Sequence, residues 1–219
     1  MIVTMMLCST AGTSIVTAPG TPGGRELSAL VRGAQRGDID DFQKLYDVFS
    51  RKILNYLYRM TGSREEAEDL AQDTFVLAFR KLDTLKEPAK IQSWLFRIAQ
   101  NNVYQRYRGK RPQLESIDRE EASELSDLQK LATPQPSPEG SVLSEELERV
   151  IAETIAELPE KYRTVFILSA VQRLSYQEIS EIVDRSLASV KSDIHRARVT
   201  VRDRIKQYLG ENYGMSKLH

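Results

Sequence analysis

Residues 174–202 read LSYQEISEIVDRSLASVKSDIHRARVTVR, and two short helical patterns lie back to back in that run. Ser175 with Glu178 is a capping box, after which Ile179, Ile182 and Val183 set an apolar face on one side. Asp184, Arg185 and Ser186 break the pattern as a turn. Ser186 then caps a second helix whose inward face is Leu187, Val190, Ile194, Ala197 and Val201. Two helices joined by three residues, the second presenting Ser, Lys, Arg and His outward, read as a helix-turn-helix. The competing reading is an ordinary αα-hairpin in a small bundle. Between Arg185 and Lys206 seven basic residues stand against Asp193 and Asp203, and that bias favours the helix-turn-helix.

Working outward, helical spacing persists. Leu143, Leu147, Val150, Ile151, Thr154 and Ile155 recur between Ser141 and Leu158, Pro159 ends that run, and Glu160 to Ala170 carries Tyr162, Phe166, Ile167 and Ala170. Toward the N-terminus a short helix is predicted over Leu27 to Arg36. A longer one over Asp40 to Tyr58 is built on Phe42, Leu45, Tyr46, Phe49, Ile53 and Leu57. After Thr61-Gly62, a capping box of Ser63 and Glu66 opens a helix buried through Ala67, Leu70, Ala71, Thr74, Phe75, Ala78 and Leu82. A further helix runs from about Ile91 to Arg108 with Ile91, Leu95, Ile98, Ala99 and Val103 inward. The fold class is all-α.

Composition agrees. The 219 residues are 41% hydrophobic with only 11 Gly and 8 Pro, which suits one or two small helical domains better than a sandwich or barrel. No stretch approaches the roughly 18 apolar residues of a membrane helix, so membrane insertion is excluded. The N-terminus has no basic residue before Arg25 and its apolar run stops at Cys8, unlike a secretory signal; a cytoplasmic protein is expected. Cys8 has no partner for an internal disulfide, and with only His195 and His219 there is no Cys/His set for zinc. A Gly-rich phosphate loop and a Ser/His or Cys/His pairing are also missing, so neither enzyme, metal nor cofactor is expected.

Thirty-one basic and 31 acidic residues cancel, but they are segregated. Pro88 to Arg111 holds six basic residues and no acid, whereas Gln113 to Glu148 holds ten acids against Arg119 and Lys130. With the Pro-containing TPQPSPEG at 133–140, this divides the chain into a disordered tail at 1–24, a domain at 25–112, an acidic linker at 113–140, a second domain at 141–210 and a tail at 211–219.

Two outer faces carry chemistry. Asp69, Gln72, Asp73 and Val76 recur at i, i+3, i+4 and i+7, an acidic patch with an apolar edge; the bland alternative is a solvated face. Trp94, Arg97, Asn101, Tyr104 and Arg108 fall at steps of three and four. That stripe of rings, guanidiniums and an amide suits stacking on unpaired bases and pairing with phosphates. The alternative is that Trp94 and Tyr104 pack in a wide core face.

Taken together, YRMTGSREEAEDLAQDTFVLAFRKL (58–82), SWLFRIAQNNVYQRYRGKRP (93–112), LPEKYRTVFILSAVQRLSYQEISEIV (158–183) and SVKSDIHRAR (189–198) resemble the sigma factors of bacterial RNA polymerase, of the compact extracytoplasmic-function type (group IV). The first pair is similar to the family's region 2 and the second pair to its region 4. The resemblance implies that Asp69, Gln72 and Asp73, beside Val76, bind the clamp helices of core RNA polymerase. It implies that the loop from Leu82 to Pro88 and the face of Trp94, Arg97, Asn101, Tyr104 and Arg108 capture flipped-out bases of the minus-ten element. It places Ser189, Lys191, Ser192, Asp193, His195 and Arg196 toward the minus-thirty-five element of promoter DNA. The linker would thread the polymerase, and an anti-sigma factor is an implied partner.

Three residues depart from the family pattern: Asp184-Arg185 stands where the family often has a Gly followed by an apolar residue, and Asp193 where many members carry arginine. As a groove-facing carboxylate, Asp193 is expected to read a base edge. A self-sufficient repressor or activator is the competing function, but it leaves the Asp69 patch and the Trp94 stripe without a purpose.

Overall fold

The computed structural model describes residues 23–108 and 141–213. The linker at 113–140, most of the N-terminal tail, residues 109–112 and residues 214–219 lie outside the described residues, as do the side chains of Arg108 and Leu143. Eight α-helices and no strand occur among the described residues, as the sequence predicts. In the first half these are α1 (Gly24–Gln35), α2 (Ile39–Thr61), α3 (Arg64–Lys81) and α4 (Ile91–Arg108). Two 3₁₀ turns, Leu82–Thr84 and Pro88–Lys90, separate α3 from α4. In the second half they are α5 (Ser141–Glu157), α6 (Glu160–Phe166), α7 (Tyr176–Val183) and α8 (Leu187–Tyr213).

Boundaries follow local chemistry. Asp38 caps α2 by accepting from the Asp41 amide, and Gly62, at φ 72°, takes the left-handed conformation that ends it. Gly33 makes room for Asp41: a Cβ there would fall 1.8 Å from the Asp41 carboxylate oxygen, so that side chain would have to move. At two places the expected boundary moves. Gly24 already belongs to α1, and α8 continues to Tyr213, past the tail expected from residue 211.

A third departure is inside the second domain. The helix expected to reach Ala170 is α-helical only to Phe166 and then widens into a π segment, Ile167–Val171, closed by Gln172 N–H on the Ile167 carbonyl at 3.0 Å. The wider turn keeps Ile167 and Leu168 buried and carries Ala170, expected inside, out to solvent.

The core of the first half is formed by α2, α3 and α4, with Phe49, Ile53, Tyr56, Leu70, Ile91 and Phe96 fully enclosed. The Tyr56 and Phe96 rings meet edge to face at 5.5 Å. Burial raises the Tyr56 phenol far above its ordinary range, so it remains a donor, and it donates to Gln100 on α4. The buried cluster continues into the second half through Ile155, Leu158, Val165 and Ile167. Arg163 of α6 joins the halves directly: its Nη1 donates to the Met60 carbonyl at the end of α2 and its Nη2 to the Leu158 carbonyl, both at 3.0 Å.

Because Phe96 is enclosed on all sides, Phe96→Ala is expected to lower stability by about 3–5 kcal/mol, read as a reduced urea midpoint. A loss under about 1 kcal/mol would mean the site collapses around the smaller side chain.

Candidate protein and nucleic-acid interfaces

The acidic patch sits on α3. Ser63 forms its half of the expected capping box, accepting from the Glu66 amide, while the Glu66 carboxylate also accepts from the Tyr107 hydroxyl of α4 at 3.3 Å. Partial burial, and then the Glu66 charge, raise the Tyr107 phenol above its ordinary value, which keeps it a donor in that contact. With Ala67, Leu70, Thr74, Phe75 and Ala78 buried, the opposite side of α3 is left to Asp69, Gln72 and Asp73, all exposed, and to half-buried Val76. Phe79, which the sequence reading passed over, prolongs this stripe as an exposed ring lying edge-on to Phe42 at 4.9 Å. The i+3 step from Val76 was the signal for it.

The second face belongs to α4. Ile91, Leu95, Phe96, Ile98, Ala99 and Val103 are buried, so Arg97, Asn101 and Tyr104 point out, with Tyr104 53% exposed. Tyr104 is therefore not a core residue. Trp94 is half-buried and packs against the core, so the two readings of the stripe divide between its two rings. α4 is tied to α3 by Asn102, whose amide donates to Thr74 Oγ1 at 3.1 Å, while that hydroxyl donates to the Leu70 carbonyl. The loop before α4 is held from α1: Gln35 Nε2 donates to the carbonyls of Leu82 and Leu85 at 2.9 and 2.8 Å. Gln35 has no sequence signal, because its partners lie more than forty residues away.

The third surface is the helix-turn-helix. Ser175 and Glu178 form the full reciprocal box at the start of α7. Asp184 closes α7 at φ 53° and ψ 49°, a left-handed cap that Asp tolerates in place of glycine. Ser186 starts α8, its Oγ accepting from the Ser189 amide at 3.2 Å. Val190, Ile194, Ala197 and Val201 face inward as predicted, but Leu187, expected inside, is 37% exposed at the first position of α8. Lys191, His195 and Arg196 are exposed, with Arg196 Nη1 3.3 Å from the Tyr162 hydroxyl; Ser189 and Ser192 are half-buried.

Asp193 does not fit the expectation of a groove-facing carboxylate. It is only 4% exposed, and its Oδ2 lies 2.5 Å from Nη1 of Arg185 in the turn. Oδ2 is off the N–H direction, so the contact is an ion pair by charge and distance rather than an aligned hydrogen bond. Nη2 of the same guanidinium reaches Ser189 Oγ. Ser189 and Asp193 stand one turn apart on the same face of α8, and Arg185, in the turn before the Ser186 cap, reaches back over both. Removing Arg185 would leave the enclosed Asp193 charge without its partner, at a cost below the ~3–5 kcal/mol of a fully buried pair because Arg185 keeps 29% of its side chain in water.

Residues 45–113 match Sigma-70 region 2 and residues 148–201 match Sigma-70, region 4. The chain is 36% identical over 182 residues to the ECF RNA polymerase sigma factor SigW of Bacillus subtilis, covering 82% of this chain and 97% of that relative. It is 35% identical over 180 residues to the ECF RNA polymerase sigma-E factor of Haemophilus influenzae, covering 81% and 94%. Among solved structures, CnrH in complex with the cytosolic domain of CnrY aligns with TM-score 0.59 at 24% identity, over 81% of this chain and 95% of that one. The sigma factor RpoE of Bartonella quintana, in complex with the anti-sigma factor NepR, aligns with TM-score 0.57 at 21% identity, over 77% and 98%. At these identities the solved structures speak for the fold.

Since Asp69, Gln72 and Asp73 are exposed and bury no contact of their own helix, replacing all three by Ala is expected to leave helicity unchanged and to move stability by no more than about 0.5 kcal/mol per residue. Circular dichroism with urea titration measures both, and a larger loss would place these side chains in the packing.

Proposed function

The chain belongs to the sigma-70 family of RNA polymerase sigma factors, in its extracytoplasmic-function branch, and we propose from that premise a division of labour among the three surfaces. A sigma factor directs polymerase to promoters and starts transcription there. Catalysis belongs to the polymerase, so this chain is read as a specificity subunit with no reaction of its own, acting in the cytoplasm where transcription occurs. No helix of the described residues is long and apolar enough to cross a membrane.

The acidic stripe of α3 is the dock for core enzyme. Two carboxylates and an amide beside Val76 can pair with arginines and pack on an apolar ridge, the mixture found at protein interfaces. The single observation that carries the proposal is that Asp69, Gln72 and Asp73 stand exposed on one face of α3 while Arg97, Asn101 and Tyr104 stand exposed on α4, packed beside it. Docking through the first brings the second to the DNA.

On α4, Tyr104 stacks on a base that has left the duplex, Asn101 reads its edge, and Arg97 and Arg108 neutralise phosphates; Trp94 serves mainly to hold the face. Unstacking a base costs a few kcal/mol, which stacking at about 1–3 kcal/mol per base and pocket hydrogen bonds return. In the second half Lys191, His195 and Arg196, with Ser189 and Ser192 at the margin, meet the minus-thirty-five element. The division into 25–112, a 113–140 linker and 141–210 is the domain layout this reading uses. An anti-sigma factor is the expected antagonist, the kind of partner with which RpoE of Bartonella quintana was solved.

The first test is co-purification. Asp69→Ala, Gln72→Ala and Asp73→Ala together are expected to abolish binding to core RNA polymerase in a folded protein. Unchanged affinity would overturn the assignment, and a gel shift of duplex promoter by the pure protein without polymerase would favour a self-sufficient regulator instead.

The second test separates opening from docking. Asn101→Ala and Tyr104→Ala are expected to reduce permanganate reactivity of promoter thymines while leaving closed-complex formation intact. Equal reactivity in wild type and both variants would remove α4 from the melting step.

A further inference from the structure

We infer that Asp193 is a positioning residue: through Arg185 it sets the rotation of α8 about its axis, and so decides which upstream sequences the helix reads, without touching DNA itself. The inference rests on the reading of α8 as the minus-thirty-five helix.

Three observations lead to it. Asp193 is enclosed on the inner side of α8, so its carboxylate cannot reach a groove. Its partner comes from the turn rather than from α8: Arg185 precedes the Ser186 cap and follows the left-handed Asp184. The Arg185 guanidinium touches α8 at two levels one turn apart, Ser189 and Asp193, so the contact constrains both the tilt and the rotation of the helix against the turn.

An ion pair is a poor way to gain stability in this place. Desolvating two charges offsets most of their attraction, and apolar side chains of similar volume pack as well or better; the best-attested return on a buried polar contact is register. Rotation is also the variable to which recognition is most sensitive. On a helix with an outer radius of roughly 5–6 Å, a turn of about 20° carries a side-chain tip some 2 Å, whereas a hydrogen bond to a base edge tolerates a few tenths of an ångström. Lys191, His195 and Arg196 all lie on the exposed side that such a rotation would shift.

The test must separate positioning from stability. In reconstituted holoenzyme, Asp193→Asn and the double variant Arg185→Met/Asp193→Leu are compared with wild type for thermal unfolding and in a selection from a promoter library randomised upstream. The double variant replaces both charges by apolar groups and is expected to unfold within a few degrees of wild type. Both variants are nevertheless expected to select different upstream sequences, with transcription from the wild-type promoter reduced between about 5- and 150-fold, the range of a misplaced base contact. Transcription from a promoter that needs no upstream element is expected to be unchanged. If the double variant recovers stability and selects the same upstream sequences as wild type, the pair is structural only and the proposal falls. If scrambling the upstream element leaves wild-type transcription intact, the assignment of α8 itself fails, a result distinct from the first and equally decisive against the proposal.

Discussion

Everything the first half presents to a partner depends on how α4 is gripped. Phe96 is fully buried against Tyr56, Ile91, Leu95, Ala99 and Val103 fill the rest of the inner side, and Gln100 accepts from the Tyr56 hydroxyl. A helix held so closely along one side has no freedom to roll, and Arg97, Asn101 and Tyr104 are exposed as a consequence of that grip rather than by any preference of their own. The same packing extends to α3 through Asn102 and Thr74, so the acidic stripe and the aromatic face keep a constant relation to each other. Enclosing one large ring brings about 1.5–3 kcal/mol of transfer free energy, far more than any exposed ion pair of the molecule.

The halves meet by two kinds of contact of very different weight. Lys90 and Glu181 approach to 3.5 Å, yet both are substantially exposed, and a pair of that kind contributes about 0–1 kcal/mol. Arg163 is in another class, because it supplies hydrogen bonds to carbonyls that a helix end leaves unsatisfied, on both sides of the junction. Gln172 adds a bond to the Lys52 carbonyl at 3.3 Å, and Thr164 lies against the Met60 sulfur. The apolar cluster that runs through both halves surrounds these contacts, so the junction is held by burial and oriented by donors to backbone oxygen.

Helix order, the inner faces of α2, α3, α4 and α7, and the three serine caps were legible in the sequence, since each depends on residues within one or two turns. The exposed acidic stripe was legible for the same reason: once Ala67, Leu70, Thr74 and Ala78 are inward, geometry leaves Asp69 and Asp73 nowhere else. What failed depended on neighbours distant in the chain or on backbone geometry that periodicity does not carry. Ala170 moved outward because the helix widened, and Leu187 stands exposed at the first position of α8 although Val190, three residues on, is buried. Asp193 was misread because a charged residue is assumed to face water unless a partner is seen. The partner was in plain view as Arg185, itself the other departure from the family pattern, and reading the two departures together would have paired them.

On the proposed reading, charge layout bears on the order in which the three surfaces act. With 31 positive and 31 negative residues the free chain has no net attraction for DNA, and at physiological salt a local basic cluster is felt over about 8 Å only. Nucleic-acid binding by neutralising phosphates needs several cations delivered together, with affinity falling steeply as salt rises. On the reading proposed above, the exposed cations of α4 and α8 act on DNA once docking on the polymerase has brought them close. The acidic stripe on α3 repels phosphate and attracts a basic protein surface, so it can act first. On the proposed reading protein contact precedes DNA contact, and a chain with no net charge has no overall electrostatic pull toward DNA before it docks.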